Sequence, residues 1–474
     1  MKYKNIITTL ESSKLYSVWA KLFLAANFFI YLLIALLPFY EPFTGNFYLT
    51  LYKIAGLFIC SYLVFRRFKD GIEFKLIFVY TLWLIFVRVI NREFFVEGVT
   101  GGIFDMVVCI AMIGFAVVLS PEERLKWLDV IAVIYCVAYT LLAAVCIFGT
   151  LSHIPEMNYL VEGTKLYEYL AGRLYVLGEI CNSVGAWYFI ACMFLLYLFF
   201  RYKKKVFRVL IVFSFIVCHL TLALTFSRSS MVSFSVSMGM LAVLIVLHYR
   251  PQLSPVKKAV VVVALMCICF FAAYKSFNIS AVLVDKVTGS AAETEVYGDD
   301  DIFYESGINQ DTIVIMSDRG FSSSGRVELW KAAIMSLFDE PTRIITGSAD
   351  LISSEKTNRY IEENMPEEYA VYGDRPNHHN TYLEFLMRSG IPGFLLMMAF
   401  FVVLVVKMIR IFFSSAEAMG LEIKVLTLML TGIMIFNLFE SAFFCLIRLN
   451  TVVFCIIAGY AIAYEKELQG KKAG

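Results

Sequence analysis

Apolar stretches long enough to cross a bilayer recur along this chain, and short polar segments separate them. About twelve such spans can be read, at roughly 22–40, 47–65, 74–90, 102–119, 127–149, 178–200, 206–225, 230–248, 259–277, 391–409, 421–440 and 442–463. Arg88 interrupts the third. One polar segment is long, about 278–390. The pattern predicts an all-α polytopic membrane protein in three parts: a bundle of about nine spans over 1–277, the long segment over 278–390, and about three more spans with a tail over 391–474. No internal repeat is visible.

Within the long segment, Val287 to Asp311 is rich in Gly, Asp, Glu and Ser, which predicts a mobile, solvated loop. Asp299-Asp300-Asp301 falls in it and reads as loop rather than as a metal motif. Helical spacing then sets in. Val327 to Phe338 is amphipathic, and Asp339-Glu340-Pro341 stops it. A second short helix is predicted over Thr381–Ser389, ending at Gly390. A smaller loop, about 150–177, holds Lys165 and Arg173.

Lys and Arg gather at alternate connections, which sets an orientation. Starting with the N-terminus inside, the inner segments carry about 23 of the 41 basic residues, and Arg66-Arg67-Phe68-Lys69 and Arg201 to Lys205 fix the alternation. Both termini are therefore expected in the cytoplasm of a cell with the chain in its cytoplasmic membrane. The long segment is expected outside, and it is acidic. The first apolar run shows no small-residue cleavage site and reads as a retained span.

Composition agrees. The chain is 60% hydrophobic and 17% charged, too apolar for a soluble globular protein. Its net charge of +2 gives no sign of a nucleic-acid partner. The 11 cysteines fall in or beside spans, so neither a disulfide framework nor a spaced metal set is expected.

Candidate chemistry concentrates on the outer side. Arg375-Pro376-Asn377-His378-His379-Asn380 precedes the short helix and contains two of only 5 histidines, groups able to move protons near neutral pH. Asn380 is placed to cap that helix, which would leave backbone N–H groups and a positive dipole end beside the histidines, an anion-binding geometry. Glu384 and Arg388 are spaced for an i,i+4 ion pair. Arg228 occupies a tight turn between two very apolar spans, either snorkelling or holding an anion. Arg173 and Arg326 are further outer arginines. Three guanidinium groups would suit a diphosphate, since each presents forked donors. Glu440 ends the eleventh span on the outer side, where an ion pair with Arg448 competes with a functional role.

These elements together resemble a known family. His379-Asn380, nine residues, Gly390, two residues and Gly393 match a motif of the O-antigen ligase and Wzy-type polysaccharide polymerase superfamily of bacterial membrane glycosyltransferases. The turn around Ser227-Arg228, the run Gly325-Arg326-Val327-Glu328-Leu329-Trp330, and Asn437-Leu438-Phe439-Glu440 are similar to further family elements; Arg173 followed by Asn182 is a looser match. The resemblance covers about residues 170–445. It implies a GT-C-like helical enzyme that needs no metal or cofactor. Its donor would be a glycan on undecaprenyl diphosphate. Its acceptor would be a glycan or lipid A core hydroxyl, in lipopolysaccharide or other cell-envelope polysaccharide assembly, with other polysaccharide-export proteins as further partners. His379 would be the general base, chosen over His378 because the motif spacing counts from it. Arg228 and Arg326, with Arg173 as a third, would hold the diphosphate. Glu440, Asn380 and His378 would support them. Ligase and polymerase share the motifs, so that choice stays open.

Two other classes compete. A secondary transporter would suit about twelve spans, but such folds show related halves and midplane sites, and neither is visible here. A non-catalytic scaffold could bind lipid-linked glycans with the same arginines.

Overall fold

The computed structural model describes residues 14–36, 71–93, 99–152, 156–158, 165–170, 173–249, 254–288, 326–365, 377–441 and 449–473, single positions within and between these runs aside. Helices account for nearly all of it: α1 (Lys14–Leu36), α2 (Ile72–Ile90), α3 (Val99–Val118), α4 (Pro121–Leu151), α5 (Cys181–Arg201), α6 (Lys205–Leu224), α7 (Arg228–Tyr249), α8 (Pro255–Thr288), α9 (Arg326–Phe338), α10 (Pro341–Thr346), α11 (Asp350–Asn364), α12 (Thr381–Phe412), α13 (Leu421–Phe436) and α14 (Leu449–Ala473). Among the described residues, 7 helices are long and apolar enough to cross a membrane. The chain is an all-α, multi-pass membrane protein. Each predicted span coincides with a helix except 47–65, of which only Ala55 and Gly56 are described; Asp299–Asp301, Arg375 and Arg448 lie outside the described residues.

The helices are explained by composition and by their ends. α4 starts at a capping box: the Ser120 side chain accepts from Glu123 N–H, Glu123 reaches back to Ser120 N–H, and Pro121 pre-sets the first turn. α8 continues to Thr288, past the apolar limit near 277. Its 34 residues make a rod of about 50 Å, longer than a hydrocarbon core of about 30 Å, so it projects beyond one face.

The break predicted after Ser389 is real. α12 is two helices meeting at Gly390, whose φ of 62° an L side chain rarely adopts. Pro392 then opens the second part, where its missing N–H costs nothing. A Cβ at Gly390 would lie 2.2 Å from the Ile345 carbonyl oxygen, so α10 rests directly on the break. Arg88, buried in α2, donates to the Arg388 carbonyl at 2.8 Å and to Glu93 at 3.1 Å. Glu93 also takes Arg343 of α10 at 2.7 Å and the Ala349 N–H at 3.0 Å. This buried network fastens α2 and the segment around α10 to the break in α12.

One feature was not anticipated. The loop about 150–177 folds as a small antiparallel sheet, β1 (Glu156–Asn158), β2 (Lys165–Leu170) and β3 (Arg173–Val176), in the order β1-β2-β3. Tyr167, in the middle of β2, is fully buried.

The two ends of the bundle differ chemically. At one end Glu465, buried, takes Lys407 at 2.9 Å and Arg410 at 2.8 Å, while Arg124 pairs with Glu467 and Lys21 with Glu123. At the other end lie Arg88, the short helices α9 to α11 and every candidate site residue.

Candidate active site

Asn380 is the N-cap of α12, as its position predicts: its Oδ1 accepts from Tyr382 N–H at 3.0 Å and Leu383 N–H at 3.1 Å. This corrects the expectation of an anion-binding helix end. The Thr381 N–H goes to the Asn437 carbonyl at 3.0 Å and the Glu384 N–H to the Asn380 carbonyl at 3.0 Å. Upstream, His378 N–H donates to Glu384 Oε1 at 2.8 Å, His379 N–H to Asn377 Oδ1 at 3.0 Å and Asn380 N–H to Ser441 Oγ at 2.9 Å. No backbone donor from 378 to 384 is left for a ligand. Positive charge at this site must come from side chains.

Glu440 organises those side chains. It follows α13 and is buried, 4% exposed. Its Oε2 lies 3.1 Å from His379 Nδ1. Its Oε1 accepts from the Asn182 amide at 2.6 Å and from the Arg326 guanidinium. Thr381 Oγ1 donates to its backbone carbonyl at 2.9 Å. Residues from the starts of α5, α9 and α12 thus converge on one carboxylate. The sequence reading named His379, Arg326 and Glu440 separately; the structure brings these three together.

His379 is a quarter or less exposed, and no described group bonds its Nε2. With Nδ1 at a carboxylate, the tautomer bearing hydrogen on Nδ1 is favoured, which leaves Nε2 as a lone-pair acceptor. The backbone φ of His379 is +49°. That left-handed conformation costs about 1 kcal/mol for a non-glycine residue and survives only where neighbours enforce it.

His378 faces away from this centre. It is buried, 1% exposed, with Nε2 3.0 Å from Thr357 Oγ1 of α11 and Nδ1 3.1 Å from Glu384 Oε1, too far off axis for a hydrogen bond. It ties α11 to the start of α12. The two adjacent histidines therefore divide between a structural contact and an open site.

Arg228 is the first residue of α7, half-buried, directly after Ser227. Gly185 of α5 abuts that turn: a Cβ there would meet Ser230 Oγ at 2.5 Å and Ser227 Cβ at 2.8 Å. Asn182 and Gly185 are one helical turn apart on α5, so the same face reaches Glu440 and the Ser-Arg turn. Arg173 opens β3, its backbone paired with Leu170.

The sequence left the roles of Asn182, Trp330 and Ser441 unassigned. Trp330 Nε1 donates to the His378 carbonyl at 2.8 Å. It lies four residues after Arg326, and that i,i+4 spacing on an amphipathic helix was the available signal.

An apolar cavity of about 570 Å³ opens beside the site. Met240 of α7, Val262 and Met266 of α8, Tyr382, Met408 and Phe412 of α12, and Met434 and Leu438 line it. Tyr382, three residues from His379, stands at one end and donates its hydroxyl to the Met434 carbonyl at 2.9 Å. Among the described residues, no three His, Cys, Asp or Glu side chains converge as metal ligands.

The structure is thus a multi-pass helical membrane protein with a histidine–carboxylate pair and arginines gathered at one end, beside an apolar cavity. Residues 213–398 match the family model described as O-antigen ligase, so that part of the chain is similar to that family. The match includes Arg228, Arg326, His378, His379, Asn380 and the break at Gly390 to Gly393, and it leaves Glu440, Asn182 and Arg173 outside. No curated protein matches the chain.

Proposed function

We propose that the protein is a glycosyltransferase with GT-C-like architecture that moves a glycan from undecaprenyl diphosphate to a sugar hydroxyl at the outer face of the cytoplasmic membrane. The observation that carries this reading is the convergence of His379, Arg326 and Asn182 on the buried Glu440. The reading takes the division at 278 and 390 as its architecture: a donor-binding bundle, an outer segment that carries the base, and a C-terminal bundle. Both termini then lie in the cytoplasm.

The chemistry follows from the parts. His379 Nε2 accepts the proton of the acceptor hydroxyl, whose oxygen attacks the anomeric carbon of the donor. The bond from that carbon to the diphosphate breaks, and the lipid diphosphate leaves with the electron pair. Glu440 steadies the imidazolium that forms; a positioned base of this kind contributes typically about 10²–10⁴-fold. Both Glu440 oxygens are engaged, so it is no free nucleophile, and a single displacement with inversion at the anomeric carbon fits best. Arg228 and Arg326 meet the charge that develops on the diphosphate, with Arg173 as a third cation. Arg326 pairs with Glu440 and would turn to the diphosphate. The cavity below Tyr382 falls within the volume range of ligand sites and suits part of a polyprenyl tail. No step calls for a metal.

The test is transfer by purified, reconstituted protein supplied with an undecaprenyl-diphosphate-linked repeat unit, with and without a lipid A core acceptor. Transfer only with the core makes the enzyme a ligase. A product ladder from donor alone makes it a polymerase of O-antigen, capsule or exopolysaccharide. No transfer to any acceptor, with glycolipid still bound, would refute the enzymatic reading in favour of a scaffold.

A further inference from the structure

His379 is held in its left-handed conformation from both sides by side chains. The peptide that precedes it is gripped at each end: Trp330 Nε1–H donates to the His378 carbonyl at 2.8 Å, and the His379 N–H donates to Asn377 Oδ1 at 3.0 Å. Orientation of that one peptide plane sets the His379 φ of +49°. The peptide that follows is held by Ser441, whose Oγ accepts the Asn380 N–H at 2.9 Å and lies 3.2 Å from Glu384 Oε1. Glu384 Oε1 also takes the His378 N–H at 2.8 Å. Trp330 stands one helical turn after Arg326, so α9 reaches the site at two points: Arg326 at Glu440 and Trp330 at the peptide before His379.

We propose that Trp330 and Ser441 are positioning residues that fix the His379 backbone, and through it aim Nε2 at the acceptor hydroxyl. The inference rests on His379 being the base. Relaxed to an ordinary φ, the imidazole would swing away from Glu440 and from the acceptor. Misplacement by about 1 Å can cost about 10²-fold in rate without touching the chemistry itself. The competing view is that Trp330 only packs, since its ring sits against Ala333, Leu337, Leu383 and Met387. The two views differ in what a ring without its N–H would do.

The experiment compares Trp330→Phe, Ser441→Ala, Ser441→Thr and His379→Ala in the full-length reconstituted protein, with lipid-linked glycan extracted from cells that make it. Rates are taken per folded protein, and thermal midpoints in detergent are recorded. Trp330→Phe and Ser441→Ala are expected to lower kcat about 10- to 100-fold with KM for the donor within about twofold. Ser441→Thr, which keeps the hydroxyl, should recover to within about threefold of the parent. Trp330→Phe combined with Ser441→Ala should lose less than the product of the two single losses, because both groups hold one backbone segment. Wild-type kcat in Trp330→Phe and Ser441→Ala, beside an inactive His379→Ala, would overturn the positioning roles and leave the base in place. Losses that track only the folded fraction would also overturn them. An active His379→Ala would instead remove the base assignment, and the positioning roles with it.

Discussion

Glu440→Gln removes one charge from the centre of the site and keeps its shape. In the parent, Oε2 faces His379 Nδ1 at 3.1 Å and Oε1 faces Asn182 at 2.6 Å and Arg326. As the acceptor proton arrives on Nε2, the imidazole becomes a cation against a buried carboxylate. Unit charges about 4 Å apart interact by about 4 kcal/mol at an effective dielectric constant of about 20. Arg326 neutralises part of the carboxylate, so about half of that, about 2 kcal/mol, is available to the transition state. Since about 1.36 kcal/mol is tenfold in rate, kcat should fall about 30-fold. The effect on folding should be smaller, about 1 kcal/mol, because Arg326 is 21% exposed and can turn to water. The assay is single-turnover transfer at saturating donor, with a thermal melt of the same sample. A Gln variant within about threefold of the parent kcat would refute the reasoning. A rise in KM alone would move Glu440 from charge stabilisation to substrate binding.

His379→Ala should abolish transfer while membrane levels stay normal; full activity would end the general-base assignment. Arg228→Lys should lose most activity, because a point charge cannot reproduce forked contacts to a diphosphate, and an unimpaired Lys variant would favour a snorkelling role. Gly390→Ala should destabilise the protein by more than about 2 kcal/mol, from strain at φ 62° and a Cβ 2.2 Å from the Ile345 carbonyl oxygen, read as a lowered thermal midpoint. Incubation with EDTA should leave transfer unchanged; loss restored by a divalent ion would contradict the metal-independent mechanism.

Much of the architecture was legible because bilayer chemistry constrains it. A membrane helix must be apolar where it crosses the hydrocarbon, so the run before Arg201 shows its extent directly in the sequence, whereas α8 outruns its apolar stretch by about one third of its length. The break in α12 was legible too, because Gly390 and Pro392 have few other uses in that order. The sheet at β1 to β3 was not. Its strands are 3, 6 and 4 residues long, and alternation over so few positions is easily lost in a loop rich in Tyr and Glu.

The site divides along a similar line. His379, Arg228 and Glu440 stood out because a polar or ionisable group beside a membrane span is costly and needs a reason. Their association did not, since it depends on packing between α5, α9, α12 and the end of α13, separated by as many as 258 residues. The anion-binding helix end failed for a specific reason. Asn380 was read correctly as a cap, but the Oδ1 that caps also consumes the donors that would have bound the anion. A capped helix end and an open anion site are alternatives at the same N–H groups, and here the cap wins. The diphosphate reading therefore rests on Arg228 and Arg326 rather than on the backbone, which is why the Arg228→Lys variant tests more of the mechanism than any substitution at Asn380.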